Sequence, residues 1–150
     1  MRVVAYSIKS SEKEPLAIAN RKKHEITLIS NALSEATAIY AQGKEAVIVY
    51  DGDVVNARVI NMLADLGIKY ITTRSTSTHH IDEQAAEKRQ IKLAYVPAAC
   101  IDQLSNEPLL TALAAETINN LDKWQGNRCL GSACICSASC CGPLNTDHEH

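Results

Sequence analysis

Short apolar runs alternate with amphipathic stretches along most of the chain. Apolar or β-branched runs predict five strands, at residues 2–8, 25–29, 46–50, 69–73 and 91–96. Helical spacing of apolar positions predicts four intervening helices, at residues 14–23, 34–41, 56–66 and 82–89. Strands that alternate with helices in this way form βαβ units with right-handed crossovers. The pattern predicts an α/β fold with a flavodoxin-like, doubly wound, five-stranded parallel sheet in the strand order 2-1-3-4-5.

Local signals mark several helix ends. Ser34 and Asp82 are predicted N-caps, and Gly43 and Gly67 are predicted to end their helices. His24 follows the basic end of the first helix and is predicted to cap it.

A longer helical pattern follows the fifth strand. Asn106 is a suitable N-cap, and Gly126 stops a helix that runs to about residue 124. Its predicted buried face consists of residues spaced three and four apart: Leu109, Leu113, Ala114, Thr117, Leu121 and Trp124. We therefore expect this C-terminal helix to pack on the sheet and complete a single domain over residues 1–125. Residues 126–150 have no periodic apolar pattern and are predicted to form a Cys- and His-containing tail.

Composition and charge narrow the classes of function. A net charge of −2 gives no broad attraction to nucleic acid or to an anionic membrane, and aromatic residues, at 4%, are too few for base-stacking platforms. The first apolar run is too short for a signal peptide, and no stretch has the apolar length needed to span a bilayer. We expect a cytoplasmic protein with reduced thiols and with neither nucleic acid nor membrane as a partner.

Most of the cysteines lie close together in the spacing C-x4-C-x-C-x3-C-C: Cys129, Cys134, Cys136, Cys140 and Cys141. Several thiolates on a segment of small residues can converge on one soft cation, and thiolates favour Cu(I) and Zn(II). His148 and His150 add imidazole ligands. The tail therefore predicts a soft-metal site. His79, His80 and Cys100 are further candidate ligands, because they follow strands whose carboxyl ends share one edge of the sheet.

Other interpretations of these residues stay open. The cysteines can form a disulfide staple, although a reducing cytoplasm disfavours it, or they belong to a tail without a function of its own. The Ser- and Cys-rich end also suits heterocycle or thioether formation by a modifying enzyme, with the folded domain as a recognition leader. His79 and His80 are also typical of exposed loop residues, and Cys100 is typical of a small buried residue.

Four stretches in a fixed order carry a family resemblance: MRVVAYSIKSSEKEPL, EAVIVYDGDVVNARVINMLADLGIKYITTRS, IDEQAAEKRQIKLAYVPA and LLTALAAETINNLDKWQGNRC. Together they resemble the catalytic domain of D-isomer-specific 2-hydroxyacid dehydrogenases, in particular the D-lactate dehydrogenase branch. The resemblance covers most of residues 1–130 and implies a flavodoxin-like fold. It also implies kinship with NAD-dependent oxidoreductases.

Between the fifth strand and the last helix, this chain lacks parts that the family resemblance leads us to expect. The family inserts a nucleotide-binding domain there, whereas only residues 98–107 bridge the gap in this chain. No G-x-G-x-x-G motif occurs in the sequence. The Arg, Glu and His that perform the family's chemistry lie in the inserted domain. NAD is therefore not expected as a cofactor, and no catalytic residue is assigned.

The family's substrate loop, whose backbone N–H groups hold the substrate carboxylate, corresponds to a remnant here: Arg74, Ser75, Thr76, Ser77 and Thr78. Ser77 stands where the family has a glycine, and Ala99 replaces an aromatic residue that contacts substrate. Arg74 is expected either to hold an anion or to pair with a local carboxylate.

These observations predict a non-catalytic remnant of the catalytic domain whose tail binds Cu(I) or Zn(II) for metal handling or sensing. Two alternatives stay open. One is a precursor whose C-terminal segment is enzymatically modified. The other is a D-2-hydroxyacid (lactate) dehydrogenase subunit that needs a partner chain with the nucleotide-binding domain. Because the family covers a surface that the missing domain leaves open, we also expect a homodimer or higher homo-oligomer.

Overall fold

The structure, a computed structural model, describes residues 1–97 and 106–126 and the backbone of residues 134 and 135. The strands are β1 (Arg2–Ala5), β2 (Glu25–Leu28), β3 (Ala46–Val49), β4 (Tyr70–Thr73), β5 (Lys92–Ala94) and β6 (Cys134–Ile135). The helices are α1 (Ser10–Asn20), α2 (Ala57–Asp65), α3 (Glu83–Lys88) and α4 (Asn106–Gln125), with a 3₁₀ turn at Ala38–Ala41. Strands β1 to β5 are parallel in the order β2-β1-β3-β4-β5, which confirms the predicted α/β fold.

Alternate side chains of the sheet enter two apolar layers, one on each face. On one face, Val4, Val47 and Ile71 belong to the core that includes the apolar side of α2. On the other face, Val3 and Ile48 pack with apolar residues of α1 and α4. The central strands are buried on both faces, which explains why their sequences are almost continuously apolar.

Side-chain caps begin α2 and α3 close to where the sequence predicts. Asn56 Oδ1 accepts a hydrogen bond from the Val59 N–H (2.9 Å), and Asp82 Oδ1 accepts one from the Ala85 N–H (3.0 Å). Gly67 lies just beyond α2 with φ of +99°, a left-handed conformation that glycine adopts at little cost. The predicted cap at Asp82 and the predicted stop at Gly67 are confirmed.

Helix α1 begins at Ser10 rather than at residue 14. The reason is a reciprocal cap: Glu12 Oε1 accepts a hydrogen bond from the Lys9 N–H (3.0 Å), and the Glu12 N–H donates to the Lys9 carbonyl (2.9 Å). This capping-box arrangement stabilises a first turn that the apolar spacing alone does not indicate.

The predicted helix at residues 34–41 is wrong in its first half. Only the 3₁₀ turn Ala38–Ala41 forms, and Ser34 does not cap an α-helix. Thr37 Oγ1 accepts a hydrogen bond from the Ser34 N–H (2.9 Å) and donates to the Ala32 carbonyl (2.7 Å). Such local side-chain bonds compete with the helical pattern of backbone bonds.

Helix α4 packs against α1 and β4, as predicted for the C-terminal helix. Its Trp124 ring stacks on Tyr70 with ring centroids 4.9 Å apart. Asn120 Nδ2 lies 3.3 Å from the Tyr95 carbonyl and 3.4 Å from Thr72 Oγ1, which joins the helix to the sheet through buried polar groups. In the described parts of the chain, no helix is long and apolar enough to cross a membrane.

His24 does not cap the end of α1 as predicted. Its side chain is buried, and its Nε2 lies 2.7 Å from Asp122 Oδ1, so it joins the start of β2 to the last turns of α4. The second carboxylate oxygen of Asp122 accepts a hydrogen bond from Lys23 Nζ (2.6 Å). The prediction fails because the partner is nearly a hundred residues away, beyond the reach of any local signal.

Acid is expected to weaken this attachment of α4. Burial acts to raise the pKa of Asp122, but hydrogen bonds from Lys23 and His24 outweigh it and lower the pKa below its ordinary value. A carboxylate whose folded-state pKa is lowered stabilises the fold above its unfolded pKa of about 4, and this contribution is lost as the pH falls through the folded-state value. Asp122→Asn should therefore lower the free energy of unfolding by about 1–2 kcal/mol at neutral pH.

Urea unfolding of the wild type and of Asp122→Asn at neutral pH and at pH about 3 measures this effect, and the difference should shrink in acid. Asp65→Asn is the matched control, because Asp65 pairs with Arg89 on the surface and its side chain is 71% exposed. A difference between wild type and Asp122→Asn that stays constant down to low pH contradicts the assignment.

Strand β6 was not predicted. It runs antiparallel to β5, with Leu93 opposite Ile135 and Ala94 opposite Cys134. Two residues are too few to produce a periodic signal, so a sixth strand could not be predicted from the amino-acid pattern. The pairing places the backbone of Cys134 beside the carboxyl end of β5.

Candidate functional site

The carboxyl ends of β1, β3 and β4 meet at one edge of the sheet. The chain leaves β1 toward α1 on one face and leaves β3 toward α2 on the other face. In doubly wound folds such a change of direction creates a crevice where ligands commonly bind. The side chains that converge there are Tyr6, Ser7, Tyr50, Asp53 and Arg74.

Arg74 is the central side chain of this edge and is 2% exposed. Its Nε and one terminal nitrogen lie 2.8 Å and 3.3 Å from the two carboxylate oxygens of Glu12. Its terminal nitrogens also donate to the carbonyls of Tyr6 (3.0 Å) and Ser7 (3.2 Å). The guanidinium lies 4.9 Å from the centroid of the Tyr50 ring. Of the two expectations for Arg74, the structure shows a carboxylate pair, but the partner is Glu12, 62 residues away in sequence, rather than a local carboxylate.

Asp53 is a second buried hub, on the turn after β3, and is 2% exposed. Its Oδ1 accepts hydrogen bonds from Ser7 Oγ (2.6 Å) and from the Leu33 N–H (2.9 Å). Its Oδ2 accepts a hydrogen bond from the Tyr50 N–H (2.8 Å). One carboxylate therefore joins the ends of β1 and β3 to the segment that follows β2.

The backbone of Ser7 is strained, with φ of 57° in the left-handed region. Three interactions hold it: its N–H donates to the Asn31 carbonyl (2.8 Å), its hydroxyl donates to Asp53, and its carbonyl accepts from Arg74. Strain of this kind persists only where surrounding contacts determine the conformation. The edge is therefore a preorganised structure.

Tyr6, next to Ser7, is fully buried and donates its hydroxyl hydrogen to the Thr37 carbonyl (2.8 Å). Burial and, to a smaller extent, the negative charge of Asp53 and the neighbouring Tyr40 raise the pKa of Tyr6 far above its ordinary value. The phenol therefore stays protonated and acts as a structural donor.

The predicted substrate-loop remnant follows Arg74. Ser75 is buried, and its hydroxyl donates to the Ser77 carbonyl (3.0 Å). Thr78 Oγ1 donates to Glu83 Oε2 (2.9 Å) at the start of α3. Ser77 has no positive φ, so this loop conformation does not require the glycine that the family has there. Thr76 is exposed.

His79 and His80 lie side by side in the same loop, with ring centroids 5.8 Å apart. Ser77 Oγ contacts His79 Nδ1. Both ring nitrogens of His80 are inaccessible and have no hydrogen-bond partner among the described residues. Burial lowers the pKa of His80, with His79 adding to this effect, while the charges of Asp51 and Asp53 partly offset it. The residues described in the structure contain no group of three or more His, Cys, Asp or Glu side chains arranged to hold a metal ion.

Most of the predicted metal ligands lie outside the described residues: Cys100, Cys129, Cys136, Cys140, Cys141, His148 and His150. Of Cys134 only the backbone is described, in β6. The metal site of the tail therefore stays a prediction.

The roles of Glu12 and Asp53 at this edge were not predicted from the sequence. A signal for Asp53 exists in the segment DGD directly after the buried run AVIVY, because acidic turn residues at the carboxyl end of a central strand lie at the ligand edge. Glu12 offers only the local signal of a capping glutamate, three residues after the N-cap.

The fold and the carboxyl edge of its sheet define a doubly wound α/β domain. The crevice at this edge, where such folds commonly bind ligands, holds side chains that are hydrogen-bonded within the chain. The chain belongs to the family described as D-isomer specific 2-hydroxyacid dehydrogenase, catalytic domain, whose family model matches residues 3–133. A 2-hydroxyacid dehydrogenase homolog of Zymomonas mobilis is 34% identical over 99 residues, which are 65% of this chain and 30% of that protein. An aromatic 2-oxoacid reductase of Clostridium sporogenes is 28% identical over 115 residues, covering 76% and 35%.

Solved structures agree with this assignment. The apo-structure of D-lactate dehydrogenase from Escherichia coli superposes with a TM-score of 0.64 at 32% identity, covering 65% of this chain and 31% of that one. The resemblance stated from the sequence is confirmed. The chain spans about a third of the length of these relatives. The predicted homo-oligomer and the cytoplasmic location stay predictions.

Proposed function

We propose that this chain is a non-catalytic form of the family's catalytic domain and that it binds a soft metal ion, Cu(I) or Zn(II), through its cysteine-rich segment. The first part of the proposal, that the domain is non-catalytic, rests on the connection between β5 and α4. Strand β5 ends at Ala94 and α4 begins at Asn106, so only the residues numbered 95–105 connect the two. Such a link leaves no room for an inserted nucleotide-binding domain.

Among the described residues, the turn between β1 and α1 is unfavourable for a dinucleotide. Pyrophosphate groups bind where a glycine-rich turn meets a helix N-terminus and where backbone N–H groups are free. At the first such turn, between β1 and α1, Glu12 already places a carboxylate on the Lys9 N–H (3.0 Å). A second negative charge is disfavoured there, which supports the expectation that this turn does not hold the pyrophosphate of NAD.

The metal-binding half rests on the donor set of the tail. Five thiols within residues 129–141 supply more soft ligands than one tetrahedral ion requires. Strand β6 supports the proposal, because its pairing with β5 brings the backbone of Cys134, which lies within this segment, beside the carboxyl end of β5. Small neighbouring residues let the chain wrap around an ion.

Reduced protein is expected to take up Zn(II) or Cu(I) at micromolar concentration and to release it in acid, since protons compete for each thiolate. Native and denatured intact-mass spectrometry with thiol counting measures uptake and the covalent state together. Cys136→Ser combined with Cys140→Ser should lower the affinity for Zn(II) by about tenfold or more, because thiolate bonds supply the binding energy. Ser132→Ala combined with Ser139→Ala is the matched control.

Each outcome of the mass measurement has one meaning. Unmodified free thiols that take up neither metal end the metal proposal. A mass below that of the encoded sequence, by whole waters or hydrogens, indicates the enzymatically modified precursor instead. Few free thiols without bound metal indicate disulfides.

A dehydrogenase subunit is the second candidate, and family membership favours it. In that case a separate chain supplies the nucleotide-binding domain. The candidate predicts that NADH binds and a 2-oxo acid is reduced only when such a chain is added. Reduction of a 2-oxo acid by the isolated protein contradicts the non-catalytic proposal.

A further inference from the structure

Helix α1 presents an exposed stripe that consists of Glu14, Ala17, Ile18 and Arg21, the residue that caps the helix. Positions three, four and seven residues apart lie on one face of a helix, so these side chains follow one another along α1. Ile18 is 63% exposed, which is a high value for a large apolar side chain. We call these four residues the α1 stripe.

The α1 stripe borders a groove of about 900 Å³ between α1 and α4. Small or apolar side chains form part of the groove beside Ile18: Pro15, Ala19, Leu110 and Ala115. An isolated exposed isoleucine needs no explanation. This one lies at a groove between two helices, where there is room for a side chain from another molecule.

The charges of the α1 stripe are opposite in sign and lie at its two ends. Glu14 and Arg21 are seven residues apart, about 10 Å along the helix, and the midpoint between them falls in the apolar centre of the stripe. Neither charge forms an ion pair with another described residue. Of the other charged residues at the groove, Lys23 pairs with Asp122 (2.6 Å), and Glu116 lies on α4 outside the stripe.

A second copy of the chain fits this arrangement. In a dimer with a twofold axis, each contact occurs twice, with the roles of the two copies exchanged. When the axis crosses the midpoint of the stripe, the two α1 helices run antiparallel and Glu14 of each copy meets Arg21 of the other. Ile18 of each copy then packs on the small Ala17 of the other. Parallel helices bring like charges together instead.

We propose that the α1 stripe is a self-association surface, at which two copies of this chain dock with their α1 helices antiparallel about a twofold axis. The apolar centre supplies the burial, and the two ion pairs at its ends fix the register. A contact confined to this groove belongs to the class of small, transient interfaces, so we expect a Kd of about 10 µM. The inference does not depend on the proposed metal binding.

Sedimentation equilibrium of the full chain, at concentrations on both sides of the expected Kd, tests the surface. A reductant and a metal chelator are present, so that neither disulfides nor metal ions link the copies. Ile18→Asp should raise the Kd about a hundredfold, because each dimer loses two contacts worth about tenfold each. Ile39→Asp is the matched control and should leave the Kd unchanged: Ile39 is 52% exposed, but its 3₁₀ turn packs on the opposite face of the sheet.

Charge reversal tests the register. Glu14→Arg alone and Arg21→Glu alone each place like charges across the interface, so each should raise the Kd about tenfold or more. The double variant exchanges the two charges and should return the Kd to within about threefold of the wild-type value. A purely structural role for either residue does not predict this recovery. Fluorescence of Trp124, which is buried, checks that every variant is folded.

Three outcomes overturn the proposal. The first is a wild-type chain that stays monomeric at about ten times the expected Kd. The second is a dimer whose Kd does not respond to Ile18→Asp, because such a dimer is built on another surface. The third is a double charge variant that associates no better than the single variants, which contradicts the antiparallel arrangement.

Discussion

Arg74→Met is expected to lower the free energy of unfolding by about 3–5 kcal/mol, because it removes one partner of a buried ion pair. The side chains of Arg74 and Glu12 are 2% and 12% exposed, so water cannot replace the lost bonds. The substitution also takes the donor away from the carbonyls of Tyr6 and Ser7. Since small domains are stable by about 5–15 kcal/mol, the loss is a large part of the total.

Urea unfolding, followed by Trp124 fluorescence, measures the loss. Arg58→Met is the matched control, because Arg58 pairs with Glu35 at the surface and both side chains are more than half exposed, at 76% and 51%. That control should change stability by less than about 1 kcal/mol. Arg74→Lys keeps the charge but loses the two-pronged contact with Glu12, so it should fall between the two. Equal effects of Arg74→Met and Arg58→Met show that Arg74 does not anchor this edge.

The strands could be predicted because their own residues are of the types that buried strands require. AVIVY and YITT are apolar or β-branched along their length, as strands buried on both faces require. The starts of α2 and α3 were also accessible, since Asn56 and Asp82 cap within three residues of themselves. Both signals come from residues that are close together in sequence, so they can be recognised without knowledge of the fold.

The fold features that were missed depend on competition or on distant partners. The segment after Ser34 has helical spacing, yet Thr37 satisfies the nearby backbone with its hydroxyl and only a 3₁₀ turn forms. Strand β6 exists through its pairing with Leu93 and Ala94, and its two residues have no periodicity of their own.

At the carboxyl edge of the sheet, too, some features could be predicted from the sequence and others could not. The position of the loop after β4 follows from the family resemblance, which also places Arg74 at its start, with an anion or a local carboxylate as the expected partner. The identity of that carboxylate did not follow, because Glu12 is 62 residues away in sequence. Asp53 likewise collects donors from residues 46 and 20 positions before it. Contacts between residues so far apart in sequence can be recognised only in the folded structure.

The contacts of Arg74 and Asp53 are also relevant to the proposed function. The guanidinium of Arg74 and the carboxylate of Asp53 are both bound within the chain, so these two groups serve the fold. A domain of this kind can support another activity without any chemistry of its own at the edge. The proposed activity is therefore assigned to the donor atoms of the cysteine-rich segment, whose side chains lie outside the described residues.

Asp53→Ala is expected to lower the free energy of unfolding by about 3–5 kcal/mol, because a buried donor left without an acceptor costs about 1–3 kcal/mol. Three donors lose their acceptor: the Ser7 hydroxyl, the Leu33 N–H and the Tyr50 N–H. The sum falls short of strict addition, since neighbouring groups relax together. Ser7, which holds a left-handed φ of 57°, also loses one of its restraints.

Asp51→Ala is the matched control for this change, because Asp51 lies in the same turn and is exposed. It should alter stability by no more than about 0.5 kcal/mol. Asp53→Asn should lie between the two, since the amide keeps one oxygen acceptor but turns an N–H₂ group toward a donor. Urea unfolding of the three variants beside the wild type decides the matter. If Asp53→Ala unfolds at the same urea concentration as Asp51→Ala, the Asp53 carboxylate does not hold the ends of β1 and β3 together.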